Sequence, residues 1–142
     1  MNVKSILAIK GQGVITISPD RTIREAVLKM ENYNIGSLVV VANTGEMVGI
    51  ITERHIIRLA PKIENLLSIQ VSEVMTTEVI TGMPQDDLPC LIKTMTEHHI
   101  RHLPILDHGR LIGMVSIGDV LKAQRDEYAG AVTTLETQIL AD

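Results

Sequence analysis

The chain is written twice, and that repetition limits its fold more than any single motif does. Sliding the 142-residue sequence along itself by 65 positions sets Val14-Ile15-Thr16 over Val79-Ile80-Thr81 and Pro19 over Pro84. The same shift lays Ile23, Ala26, Val27 and Met30 over Leu88, Leu91, Ile92 and Met95, then Ile35 over Ile100 and Leu38 over Leu103. A one-residue deletion changes the shift to 64, and Gly45, Gly49, Thr52 and Ile56 fall on Gly109, Gly113, Ser116 and Val120. Upstream, Val3–Leu7 matches Val71–Met75 when the first copy carries three extra residues around Lys10-Gly11. Two copies of one unit follow, at residues 1–65 and 66–142, the second carrying an additional C-terminal helix.

Each copy has the same order of signals. A short alternating strand (Val14–Ile17; Val79–Thr81) ends at Ser18-Pro19 or at Gly82-Met83-Pro84. A helix with apolar residues at the 3.6-residue period comes next. Thr22 with Glu25 has the spacing of a capping box, and Asp87 holds the matching cap position. Two further strands, Ser37–Val41 with Met47–Ile51 and Leu103–Leu106 with Leu111–Val115, are joined by glycine-bearing turns. A last helix begins near Glu53 in one copy and near Gly118 in the other. The expected class is therefore α/β (α+β): two β-α-β-β-α units, each with too small a core to stand alone, packed face to face. Residues 61–70 connect them, and Ala131–Leu140 reads as a further amphipathic helix with Val132, Leu135 and Ile139 on one stripe.

Composition narrows the function. Aromatic residues make up 1% of the chain, so the stacking platforms of a single-strand nucleic-acid binder are missing. A net charge of −4 gives no global field to attract polyanions, and an anionic ligand would need local cations and backbone N–H groups. Cys90 has no disulfide partner, no apolar run reaches the ~18–20 residues of a membrane span, and the start of the chain lacks a signal-peptide layout. A cytoplasmic protein, bound to neither nucleic acid nor membrane, is the expectation.

The richest chemistry lies in Gly113-Met-Val-Ser116-Ile-Gly-Asp119, where a strand turns into a helix. The free N–H groups and positive dipole end of that helix favour an anion. The Ser116 hydroxyl can donate to a phosphate, and the Asp119 carboxylate can accept from the two hydroxyls of a ribose. The competing reading is that both residues only cap the helix. In the first copy Thr52 matches Ser116, but Arg54 and His55 stand where Gly118 and Asp119 would be. An imidazole cannot give the bidentate pairing of a carboxylate, so the two turns are not equivalent.

Other groups are weaker. Four histidines (98, 99, 102 and 108) lie close together, yet a helix–strand break near Ile100 spoils the spacing of His98 and His102 for a metal. Gly11-Gln12-Gly13 imitates half of a dinucleotide fingerprint but precedes a strand instead of linking a strand to a helix. Cys90 is in the first turn of a helix with no base beside it in sequence, which argues against a catalytic thiol. Lys10 reads as an exposed lysine or as a contact to the phosphate of a long ligand such as NAD.

Taken together, the repeat, Ile35-Gly-Ser-Leu-Val-Val-Val with Gly49-Ile-Ile-Thr52-Glu-Arg-His55, and Ile100-Arg-His-Leu-Pro-Ile-Leu with the Gly113–Asp119 turn resemble the cystathionine β-synthase (CBS) domain family. The resemblance spans the chain as one tandem pair, a Bateman module. It implies a non-catalytic regulatory module that binds an adenosine ligand (AMP, ADP, ATP, NAD or S-adenosylmethionine) in clefts between the copies. It also implies a homodimer and a separate regulated protein, since no effector domain is visible. The implied nucleotide-binding set is Gly113, Val115, Ser116, Gly118, Asp119, Thr81, Met83, Ile100, Arg101, His102 and Pro104. Within it, Arg101 and His102 would reach phosphate, while Ile80, Met83, Ile100 and Pro104 would flank a purine or simply form core. A weaker second set is Thr16, Gly36, Ser37, Thr52, Arg54 and His55, with Lys10. No catalytic residue and no metal ligand is implied. A ligand-independent dimeric scaffold for protein–protein interaction is the alternative.

Overall fold

The computed structural model describes residues 1–11 and 13–141, with the side chains of 133–137 and 139–141 left aside. Two compact units emerge, Gly13–Ile80 and Met1–Gln12 with Thr81–Asp142. Sequence copies and packing units therefore differ: the first twelve residues pack with the second copy, and residues 66–80 pack with the first.

In the Gly13–Ile80 unit, strand β1 (Thr16–Ile17) pairs in parallel with β2 (Ser37–Val41), which pairs antiparallel with β3 (Met47–Thr52). Helix α2 (Ile23–Tyr33) begins because the Thr22 hydroxyl accepts from the Glu25 N–H. It ends with Asn34 in the left-handed region at φ 52°. Its buried stripe of Ile23, Ala26 and Met30 packs with Leu38, Val40, Ile51 and Ile56 into an aliphatic core. Each such side chain contributes about 1.5–3 kcal/mol on burial. Helix α3 (Glu53–Leu59) follows β3 directly, and a short 3₁₀ turn (Leu66–Ser68) leads into helix α4 (Val71–Val74).

The other unit starts with helix α1 (Val3–Lys10), capped by the Asn2 side chain. It continues with α5 (Leu88–His98), β4 (His102–Asp107), β5 (Arg110–Ser116) and α6 (Ile117–Ala141). Asp87 caps α5 by accepting from the Cys90 N–H at 2.9 Å. The hairpin β4–β5 closes through His108 and Gly109, both at positive φ (50° and 78°), the two-residue turn whose twist suits adjoining strands.

Two sequence expectations change here. Val79–Thr81 forms no strand; only Gly82 bridges, in parallel, to Ile105. The cause is Pro104. Gly82 donates to the Pro104 carbonyl and accepts from the Leu106 N–H, so Pro104 faces this edge. Having no N–H, it cannot extend the ladder upstream. Val39, at the matching place in the first unit, pairs normally with Thr16. In addition, the closing helix and the C-terminal helix are one continuous α6, because a single Gly130, costing about 1 kcal/mol, does not interrupt a helix. Of the expected stripe, Val132 is exposed, whereas Leu135 and Ile139 lie outside the described side chains.

The two lead-in helices dock by one rule. Val71 and Ser72 donate to the carbonyls of Arg21 and Pro19, and Val3 and Lys4 donate to those of Asp86 and Pro84. These acceptors are matched positions of the repeat. Among the described residues, no helix is long and apolar enough to cross a membrane.

Candidate functional site

Strand β5 delivers Ser116 to the first turn of α6, and the chain closes that turn with a reciprocal pair of bonds. The Asp119 N–H donates to Ser116 Oγ at 3.2 Å, and the Ser116 N–H donates to Asp119 Oδ2 at 2.8 Å. Both residues thus cap the helix, as the plain reading required. Capping does not exhaust Asp119, whose Oδ1 has no hydrogen-bond partner among the described residues.

A third group joins them. Lys10 Nζ lies 2.6 Å from Asp119 Oδ2 and 2.7 Å from the Met114 carbonyl oxygen. Lys10 was grouped by sequence with the first-copy residues; the fold instead brings it to the second-copy turn, across 109 positions of chain. The side chains of Lys10 and Asp119 are 36% and 24% exposed, so the pair is reachable from solvent without being fully hydrated. Burial pushes the Asp119 carboxyl up, but the Lys10 ammonium and the Ser116 N–H outweigh it and hold it below the ordinary value.

The neighbouring candidates sort by position. His102 is paired across the hairpin with Ser116, half-buried, and the Arg101 carbonyl accepts from the Ile117 N–H at 2.8 Å. Arg101 itself is exposed. Gly118 is exposed and open, with only Ser116 Oγ within 4 Å of an added Cβ. Gly113 and Val115 are buried, and so is Pro104 in β4. An added Cβ on Gly113 would lie 2.6 Å from Leu7, which gives that glycine a packing role beneath α1. Thr81 and Ile100 are half-buried, while Met83 is exposed.

In the Gly13–Ile80 unit the corresponding turn has different chemistry. Thr52 caps α3 by accepting from the His55 N–H, and His55 Nε2 stands 2.8 Å from the Val74 carbonyl oxygen. Because a carbonyl only accepts, that nitrogen carries the proton. Arg54 is exposed, Ser37 is buried opposite Thr52, and Gly36 is crowded by Glu53. The Thr16 carbonyl accepts from Lys29 Nζ at 2.6 Å. Beside this turn an open groove of about 520 Å³ is lined by Val27, Met30, Glu31, Asn34, Ile35, Gly36, Glu53, Ile56 and Ile57.

The remaining motifs have structural accounts. Helix α5 ends at His98, His99 takes the left-handed conformation at φ 53°, and His102 opens β4, so His98 and His102 share no helix face. Among the described residues, no group of three or more His, Cys, Asp or Glu is placed to hold a metal ion. Gly11 caps the end of α1 and donates to the Leu7 carbonyl. Sequence reasoning missed the Lys10–Asp119 contact, because nothing in a linear pattern says which copy a lead-in helix will join.

The comparisons agree with this architecture. The CBS domain family model matches residues 4–62 and 71–126. The CBS domain-containing protein YhcV of Bacillus subtilis is 38% identical over 85% of this chain and 86% of its own length. A crystal structure of the CBS-domain containing protein ATU1752 from Agrobacterium tumefaciens superposes with a TM-score of 0.84 at 37% identity, covering 87% of this chain and 92% of that one. The CBS domain pair of protein MJ0100, solved with 5′-methylthioadenosine and S-adenosyl-L-methionine, gives a TM-score of 0.79 at 27% identity over 89% and 98% of the two chains. The chain belongs to the CBS domain family, as a tandem pair.

Proposed function

We propose that this chain is a non-catalytic regulatory module that binds an adenosine-containing nucleotide through Ser116 and Asp119 at the N-terminal turn of α6. The observation that carries the reading is the Asp119 carboxylate. It is held ionised beside Lys10 and the Ser116 N–H, while its Oδ1 remains open to a ribose hydroxyl. The free N–H groups at the start of the 25-residue α6 add a favourable field for phosphate. Further support comes from the MJ0100 pair, a structural neighbour solved with two adenosyl compounds.

The ligand class is AMP, ADP, ATP or NAD, and the role is that of an energy- or redox-state sensor acting on a separate protein from a cytoplasmic homodimer. Such a sensor needs only different affinities for two states of the module. Titration calorimetry of ligand-stripped protein with AMP, ATP, NAD and S-adenosylmethionine tests it: saturable heat with at least one is expected. Silence from all four at millimolar concentration overturns it. Asp119→Ala should abolish the binding.

A second reading, a ligand-independent dimeric scaffold, draws on the exposed apolar residues Leu121 and Tyr128 of α6, 57% and 65% accessible. Under that reading Asp119→Ala changes nothing, and Leu121→Glu disrupts self-association.

A further inference from the structure

We propose that Lys10 is a specificity residue of the Ser116–Asp119 site, selecting adenosine ligands that carry a 5′-phosphate over neutral or cationic ones. This rests on the adenosine-binding reading above and adds to it which adenosine compounds are accepted.

The argument is one of counting donors and lone pairs. A carboxylate oxygen has two good acceptor positions. On Asp119 Oδ2 both are taken, by the Ser116 N–H at 2.8 Å and by Lys10 Nζ at 2.6 Å. The Ser116 N–H belongs to the helix cap and does not leave without unwinding the first turn of α6. A ribose diol that engages both carboxylate oxygens must therefore displace Lys10 from Oδ2.

The displaced ammonium needs another anion. Lys10 has three N–H donors, and its remaining protein contact is the neutral Met114 carbonyl. A phosphate on the same ligand supplies a new charged partner close by, and the exchange is then nearly balanced. Adenosine offers no such group, so its ribose breaks an ion pair without compensation. S-adenosylmethionine is worse placed, since its sulfonium adds a positive charge beside a lysine that has just lost its counter-ion.

Lys10 is fixed for this task by its place in the chain. It is the last residue of α1, whose Leu7 is buried against Gly113, and its backbone is held by the helix. Arg101, bonded through its carbonyl to Ile117 at the same turn, adds a second exposed cation.

The test is calorimetric titration of wild-type protein, Lys10→Met and Asp119→Ala with AMP, adenosine and S-adenosylmethionine, with melting curves confirming that each variant is folded. For Lys10→Met, AMP affinity should fall about tenfold, the worth of one charge-assisted bond, while adenosine affinity rises or holds. The AMP-to-adenosine preference should collapse accordingly. If Lys10→Met leaves that preference unchanged while Asp119→Ala still abolishes binding, the selectivity role is wrong and the site is right. A wild-type preference for S-adenosylmethionine over AMP likewise overturns the role. If no compound binds wild-type protein, or Asp119→Ala binds AMP normally, the site itself is wrong.

Discussion

The two units share a backbone plan and differ in what one helix position does. In each, a lead-in helix contributed by the other copy docks on the hairpin beneath a glycine: Leu7 over Gly113, and Met75 over Gly49. In each, the third residue of the closing helix turns a polar group toward that lead-in segment. Asp119 meets the Lys10 ammonium, whereas His55 meets the Val74 carbonyl. The first contact is ionic and leaves a carboxylate oxygen open; the second is a neutral hydrogen bond that uses the available imidazole proton. One position in a conserved geometry thus serves as a charged anchor in one unit and as a strut in the other. Duplication preserved the packing because hydrophobic docking tolerates few changes, and it left the polar contact free to diverge.

The largest test of that comparison removes a lead-in anchor. Leu7 is 2% exposed, and Leu7→Ala should destabilise the protein by about 2–5 kcal/mol in urea unfolding. Met75→Ala, at a half-buried side chain, should cost less. An equal loss would mean that the two docking sites are energetically alike despite their different exposure.

A methyl group at the matched glycines gives the next effect. In Gly49→Ala the new Cβ meets the Thr76 carbonyl oxygen at 2.8 Å as well as Met75, and backbone yields little. In Gly113→Ala it meets only the flexible end of Leu7 at 2.6 Å. Both should destabilise, by about 1–3 kcal/mol, with Gly49→Ala the worse. Thermal denaturation of the two variants side by side decides it, and the reverse order would show that the Leu7 contact is the stiffer one.

The smallest effect concerns acid. Asp119 is held below the ordinary aspartate value of 3.8, so its interactions stabilise the fold above that pH and fade as pH falls further. Asp119→Asn should therefore lie below wild type in stability at neutral pH, by less than about 1 kcal/mol because the ion pair is partly exposed. The two curves should meet in strong acid. A gap that persists there would assign the loss to the helix cap and not to the charge.

Much of this was legible in the residues. The repeat, the caps at Thr22 and Asp87, the two hairpins and the turn at Ser116 all follow from local periodicity and side-chain chemistry, which act over a few residues. Pro104 was legible too, but its consequence was not: only the strand's facing shows that the missing N–H lies on the edge where Val79–Thr81 would have paired. The same holds for α6, whose continuity through Gly130 depends on the absence of any stronger break.

What the sequence determined by itself was the unit, its duplication and the asymmetry between Asp119 and His55. What only the tertiary structure decided was the exchange of lead-in helices, and with it the arrival of Lys10 at Asp119. The physical reason is degeneracy. Val3, Ile6 and Leu7 make the same kind of apolar stripe as Val71, Val74 and Met75, and Gly49 and Gly113 offer the same kind of gap. A hydrophobic pattern states that a helix must be covered; it does not state which of two like surfaces will cover it.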